Sequence, residues 1–99
     1  MDISQEQVSK VEVDDNGTKS WYLNGKLHRE DGPAIEYAKG TKVWYLNGKY
    51  HRVDGPACEY ANGTKFWYLN GKEFTEQEFN NRYLNNYFTR KYHCKISIR

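Results

Sequence analysis

Gly17-Thr18-Lys19-Ser20-Trp21-Tyr22-Leu23-Asn24-Gly25-Lys26 recurs at residues 40–49 and again at 63–72, and only Ser20, Val43 and Phe66 differ. A second block, His28-Arg29-Glu30-Asp31-Gly32-Pro33-Ala34-Ile35-Glu36-Tyr37-Ala38, returns as residues 51–61. Residues 17–39 and 40–62 agree at 18 of 23 positions. Such identity within one chain reports repeated local structure, and a period of this length marks stacked supersecondary units.

The unit reads as a β-hairpin. Asn24-Gly25, Asn47-Gly48 and Asn70-Gly71 are strong type I′ turn signals, because both turn residues need positive φ. Lys39-Gly40 and Asn62-Gly63 are expected to make further two-residue turns. With Ala38 opposite Thr41, Tyr37 faces Lys42, Glu36 faces Val43 and Ile35 faces Trp44. Strand alternation then sorts the side chains. One face, the expected core, holds Ile35, Tyr37, Trp44, Leu46 and the stem of Lys42. The other holds Ala34, Glu36, Ala38, Thr41, Val43 and Tyr45. In the next copy the expected core face holds Cys58, Tyr60, Trp67 and Leu69, with Cys58 as a small hydrophobe in place of Ile35. The first hairpin fits this register only if its loop, Asp14-Asp15-Asn16-Gly17, carries one extra residue. Asp31-Gly32-Pro33 and Asp54-Gly55-Pro56 end one element before the next begins.

Residues 75–93 change period. Thr75-Glu76-Gln77-Glu78 is a capping box, followed by a stripe of Phe79, Tyr83 and Tyr87 with Leu84 and Phe88. The expected fold is mainly β: stacked antiparallel β-hairpin repeats of period 23 with a C-terminal capping α-helix. It divides into an N-terminal segment (1–10), the repeat sheet (11–74), the helix (75–93) and a short strand or tail (94–99).

Of 99 residues, 37% are hydrophobic and 16% aromatic, with nine tyrosines. The mean hydropathy of −1.04 therefore understates the buriable surface, because Tyr scores as polar while its ring buries large area. No run of about 18 apolar residues exists, so no membrane-spanning helix is expected. The N-terminus lacks a secretory pattern. Cys58 and Cys94 stand in no metal or CxxC spacing, which favours a reducing, cytoplasmic compartment.

Trp-Tyr-Leu-Asn-Gly-Lys followed by His-Arg-x-Asp-Gly-Pro-Ala resembles the variant MORN-type hairpin repeats of small bacterial and bacteriophage proteins. The resemblance spans residues 11–74. It implies a hairpin-repeat fold and an antitoxin-like or accessory role in a bacterial or phage-infected cell.

Three groups of residues could carry function. His28, Arg29, His51 and Arg52, with Asp31 and Asp54, have the chemistry of anion or ligand contacts. A catalytic site rarely occurs twice at a fixed period, so the first expectation is that the His pack against the indoles and that Arg and Asp brace the Asp-Gly-Pro turn. Tyr22, Tyr45 and Tyr68 form a ladder that would suit a protein partner if exposed. Charge is asymmetric: residues 1–16 carry five acids and one base, net −4, and residues 79–99 carry Arg82, Arg90, Lys91, Lys95 and Arg99 without an acid, net +5. A basic helix with interleaved tyrosines could meet nucleic acid or an acidic protein surface.

The serines stand in no nucleophile context, and no phosphate-cradling glycine loop appears. The expected function is therefore non-enzymatic: protein binding that blocks a bacterial partner, in counter-defence or as an antitoxin. The expected contacts are Tyr22, Tyr45, Tyr68, Arg82, Arg90 and Lys91, with no cofactor, no metal and no membrane. Self-association through hairpin edges is open. The alternatives are nucleic-acid binding through the C-terminal helix and sequestration of a small ligand such as a nucleotide.

Overall fold

The computed structural model describes residues 7–82. Over these residues it is mainly β, with ten strands and one short helix. The strands are β1 (Ser9–Val13), β2 (Lys19–Leu23), β3 (Lys26–Leu27), β4 (Ile35–Glu36), β5 (Lys42–Val43), β6 (Tyr45–Leu46), β7 (Lys49–Tyr50), β8 (Cys58–Glu59), β9 (Lys65–Leu69) and β10 (Lys72–Phe74). All pairings are antiparallel. An open sheet runs β1-β2-β4-β5-β8-β9-β10, β3 pairs with β2, and β6 pairs with β7.

The Asn-Gly turns form as the sequence dictates. Leu23, Leu46 and Leu69 pair with Lys26, Lys49 and Lys72 across two-residue loops. Asn24, Asn47 and Asn70 take φ of 52°, 51° and 50°, which Asn tolerates better than most residues.

Each Trp sits where its strand changes partner. Trp21 N–H donates to the Ala34 carbonyl at 2.8 Å, and its own carbonyl accepts from His28 N–H at 3.0 Å. Trp44 does the same with Ala57 (2.7 Å) and His51 (3.1 Å). One half of the strand therefore joins the main sheet and the other half joins the Asn-Gly hairpin. Adjacent hairpins are stitched by Gly48 N–H to the Leu27 carbonyl and Gly71 N–H to the Tyr50 carbonyl, both 2.8 Å.

The turns expected at Lys39-Gly40 and Asn62-Gly63 are different. Tyr37 N–H donates to the Thr41 carbonyl, and Gly40 N–H to the Tyr37 carbonyl, both at 2.9 Å. The loop is thus three residues, Ala38-Lys39-Gly40, with Gly40 at φ 107°. This arrangement needs positive φ only at the glycine, whereas a two-residue type I′ turn would also force it on Lys39. Tyr60 and Thr64 close the same loop at 2.8 Å.

That one-residue shift slides β5 and β6 past β4: Ile35 and Cys58 keep the core face expected of them, while Val43 and Tyr45 take the place expected for Trp44 and Leu46. Ile35 pairs with Val43, and Glu36 with Lys42. Ser20, Ile35, Val43, Cys58 and Phe66 form one cross-strand row. The core is the buried trio Ile35, Val43 and Cys58, with Leu27, Tyr45, Tyr50 and Tyr68 packed against it. The tryptophans lie on the opposite face, where the register also sets Lys19, Glu36, Lys42, Glu59 and Lys65 side by side with alternating sign.

The first loop is no longer than the others. Asp14 N–H donates to the Thr18 carbonyl, and Gly17 N–H to the Asp14 carbonyl, both at 3.0 Å. Asp14 Oδ1 holds the turn by accepting from Asn16 N–H (2.9 Å) and Thr18 N–H (3.1 Å). Val11 and Val13 therefore pair with Trp21 and Lys19 and remain 52% and 60% exposed.

After β10 comes helix α1, described over residues 76–82. The capping box is formed: Glu78 N–H donates to Thr75 Oγ1 at 3.0 Å, and Thr75 N–H to Glu78 Oε1 at 2.9 Å. Phe79 is buried. The expected continuation of the helix through residue 93, and the strand or tail at 94–99, lie outside the described residues. No helix among those described is long and apolar enough to cross a membrane.

Candidate functional site

The repeated His-Arg-x-Asp-Gly-Pro-Ala motif is committed to the fold in both copies. Arg29 Cζ lies 3.8 Å from the centroid of Trp21, and Arg52 Cζ 3.8 Å from that of Trp44. Arg29 Nε donates to Asp31 Oδ1 (3.0 Å), while Nη1 donates to the Pro33 carbonyl (3.2 Å) and Glu36 Oε2 (3.1 Å). Arg52 repeats the set with Asp54 (3.1 Å), Pro56 (3.1 Å) and Glu59 (2.8 Å). Arg suits this role because its planar fork bonds in several directions while its face rests on the indole.

Gly32 and Gly55 complete the brace. A Cβ on either would lie 3.0 Å from the guanidinium carbon of Arg29 or Arg52. A side chain there would press on the guanidinium or displace it.

The histidines do not simply pack on indoles. Asn47 N–H donates to His28 Nδ1, and Asn70 N–H to His51 Nδ1, both at 2.9 Å. Each His thereby ties its own repeat to the Asn-Gly turn of the next. Accepting at Nδ1 requires the tautomer with hydrogen on Nε2, and in His28 that nitrogen lies 3.1 Å from Glu30 Oε2. The groups proposed as anion contacts are thus turned to internal partners.

The second arrangement is the tyrosine face. Tyr45 and Tyr50 stack with centroids 4.9 Å apart, and Tyr50 and Tyr68 with centroids 4.7 Å apart. They belong to the rim of the core, so Tyr45 and Tyr68 are half-buried supports. Tyr22 lies on the same face, opposite Lys10 and Leu27. Beside the stack is an open groove of about 660 Å³, whose walls include Tyr37, Val43, Tyr45, Tyr50, Cys58 and Tyr60. Tyr37 and Tyr60 are 44% and 45% exposed. Expected in the core beside Ile35 and Cys58, both instead sit at the loop ends of their strands as accessible aromatics, and Phe66 is 37% exposed as well.

Burial raises the Tyr45 phenol well above its ordinary value, aided by its neighbour Tyr50. Burial also raises the Cys58 thiol, with the Glu73 charge second. Both groups are therefore neutral packing elements at physiological pH.

Arg82 lies 5.4 Å over Phe74, at the far edge of the sheet. Arg90 and Lys91, expected to contact a partner, lie outside the described residues. Among the described residues no cluster of three or more His, Cys, Asp or Glu could hold a metal ion. No family model, curated protein or solved structure matches this chain.

Proposed function

We propose that this chain is a non-enzymatic hairpin-repeat module of period 23 that binds another protein through its tyrosine groove. The observation that carries the reading is the half-exposed pair Tyr37 and Tyr60 flanking an open, aromatic-walled groove. Tyrosine presents large area with little entropy to lose, together with a hydroxyl that can bond, and it is enriched at binding hot spots. Tyr45 and Tyr50 line the groove and pack on the core, which makes that wall firm. The motif residues that could have built a ligand or catalytic site are instead braced internally in both copies, which favours recognition over chemistry.

The resemblance to variant MORN-type repeats supplies the context: a cytoplasmic accessory or inhibitory protein that occupies a bacterial partner and blocks it by steric cover. Capture from bacterial lysate with identification by mass spectrometry tests this. One protein should be retained by the wild type and lost with Tyr37→Ser and Tyr60→Ser, whose thermal midpoints should stay near that of the wild type. Retention unchanged by both substitutions overturns the groove as the site. Capture abolished by nuclease would favour nucleic acid instead.

A further inference from the structure

The outer edge of β1 is the other unusual surface. Val8, Val11 and Val13 are 65%, 52% and 60% exposed, and all five residues of β1 are exposed. Among the described residues no strand pairs with β1 on its outer side. We propose that a second copy of this chain occupies that edge, pairing antiparallel with β1 about Val11 so that Lys10 of each copy lies opposite Glu12 of the other.

The hydrogen-bond parity defines which groups are free. The Val8 carbonyl accepts from Asn24 N–H (2.8 Å), and Asp14 N–H donates to the Thr18 carbonyl (3.0 Å). Even-numbered residues of β1 therefore direct their backbone groups at β2. By the alternation of an antiparallel ladder, Ser9, Val11 and Val13 direct theirs outward. Two copies can join only in registers that bring outward residues together.

Charge then selects among those registers. Centring on Lys10 sets two lysines face to face, and centring on Glu12 does the same with two glutamates. Centring on Val13 opposes Glu12 to Asp14, again acid to acid, and centring on Ser9 sets Lys10 against Val8 and gains no ion pair. Centring on Val11 pairs Ser9 with Val13 and Val11 with Val11, and sets Lys10 against Glu12 on both sides of the axis. Those charged residues occupy the non-hydrogen-bonded positions, where opposing side chains approach most closely.

Within one chain Lys10 and Glu12 already lie 3.0 Å apart, so the contact extends an existing ion pair into an alternating quartet. Edge strands are commonly guarded by a lysine. Here the guard is matched by its own Glu12 two residues on and repels no second copy. The contact is the same patch on both chains, so it closes as a dimer and does not propagate. A five-residue edge is small, which makes the dimer concentration-dependent.

Sedimentation velocity on the full chain across a wide concentration range tests this. The wild type should shift from monomer to dimer as concentration rises. Lys10→Glu and Glu12→Lys should each weaken the dimer at least about tenfold, since each opposes like charges twice. An equimolar mixture of the two should restore a heterodimer, because one edge is then acidic and the other basic. Val11→Pro removes only an outward N–H and should give a monomer. A wild type monomeric throughout, charge variants that dimerise like wild type, a mixture that stays monomeric, or species growing beyond a dimer would each overturn the proposal. Lysate capture through the tyrosine groove is a separate readout, which the β1 variants should leave intact.

Discussion

Arg52 rests 3.8 Å above the indole of Trp44 while its Nη1 donates to Glu59 Oε2 at 2.8 Å. One side chain thus links the strand that forks at Trp44, the Asp54-Gly55-Pro56 turn and the strand that follows. Arg29 does the same one repeat earlier.

Replacing Arg52 by Lys keeps the charge but loses the fork and the flat face. Lysine can satisfy one acceptor at a time from this position, so Arg52→Lys should lower unfolding free energy by about 1–2 kcal/mol. Urea titration measures it. Gly55→Ala should also destabilise, because its Cβ would press on the Arg52 guanidinium at 3.0 Å. The two effects should be non-additive: in an Arg52→Ala background the glycine substitution should cost little.

His51 supplies the acceptor for Asn70 N–H at 2.9 Å. His51→Ala should destabilise by about 1–2 kcal/mol, the cost of an unmet backbone donor and a lost side chain. Hydrogen exchange should localise the effect: Asn70 should exchange faster, while Asn47, held by His28, should not.

Much of this architecture was legible in the residues. The Asn-Gly turns, the capping box and the bracing role of Arg and Asp follow from residue type and spacing. Ile35 and Cys58 were also legible as core, but which side of the Trp-Tyr strand joins them hangs on one loop residue. Lys39-Gly40 reads equally as the whole of a two-residue turn or the end of a three-residue one, and the two readings exchange Trp44 for Val43 and Tyr45 on the face that Ile35 and Cys58 share. The alternating sequence does not break the tie, since both faces carry aromatics: Trp21, Trp44 and Trp67 on one, Tyr22, Tyr45 and Tyr68 on the other. The cost of positive φ at Lys39 does. The role of His28 and His51 was hidden for another reason, because their acceptor bonds reach 19 residues along the chain.

The face assignment can be checked by substitution. Tyr45 packs on Ile35, Val43 and Cys58, so Tyr45→Ala should cost about 2–3 kcal/mol, somewhat below the value for a fully buried aromatic. Tyr60, at 45% exposure, should cost less than about 1 kcal/mol when replaced by Ser. Equal losses would contradict the division between support and rim.

Cys58 is buried and free, and its thiol is held above its ordinary value by burial and then by the Glu73 charge. Alkylation followed by mass spectrometry of the Cys58 peptide should show slow modification of the folded protein near pH 8 and fast modification in denaturant. Glu73→Gln should raise the folded rate only modestly, since burial is the larger cause.

Alkaline pH should loosen the same cluster. The Tyr45 phenol is raised above 10.0 by burial, and Tyr68 is raised for the same leading reason. A group whose value is higher folded than unfolded binds its proton more tightly in the native state. The stability this contributes is present below about pH 10 and is lost as pH rises beyond it, because the unfolded phenol ionises first. Urea midpoints should therefore hold steady towards pH 9 and fall above pH 10. Tyr45→Phe cannot ionise and should flatten that fall, whereas Tyr60→Phe, at the exposed rim, should leave it in place. A wild-type midpoint unchanged above pH 10, or a fall of the same size in Tyr45→Phe, would exclude Tyr45 as the source.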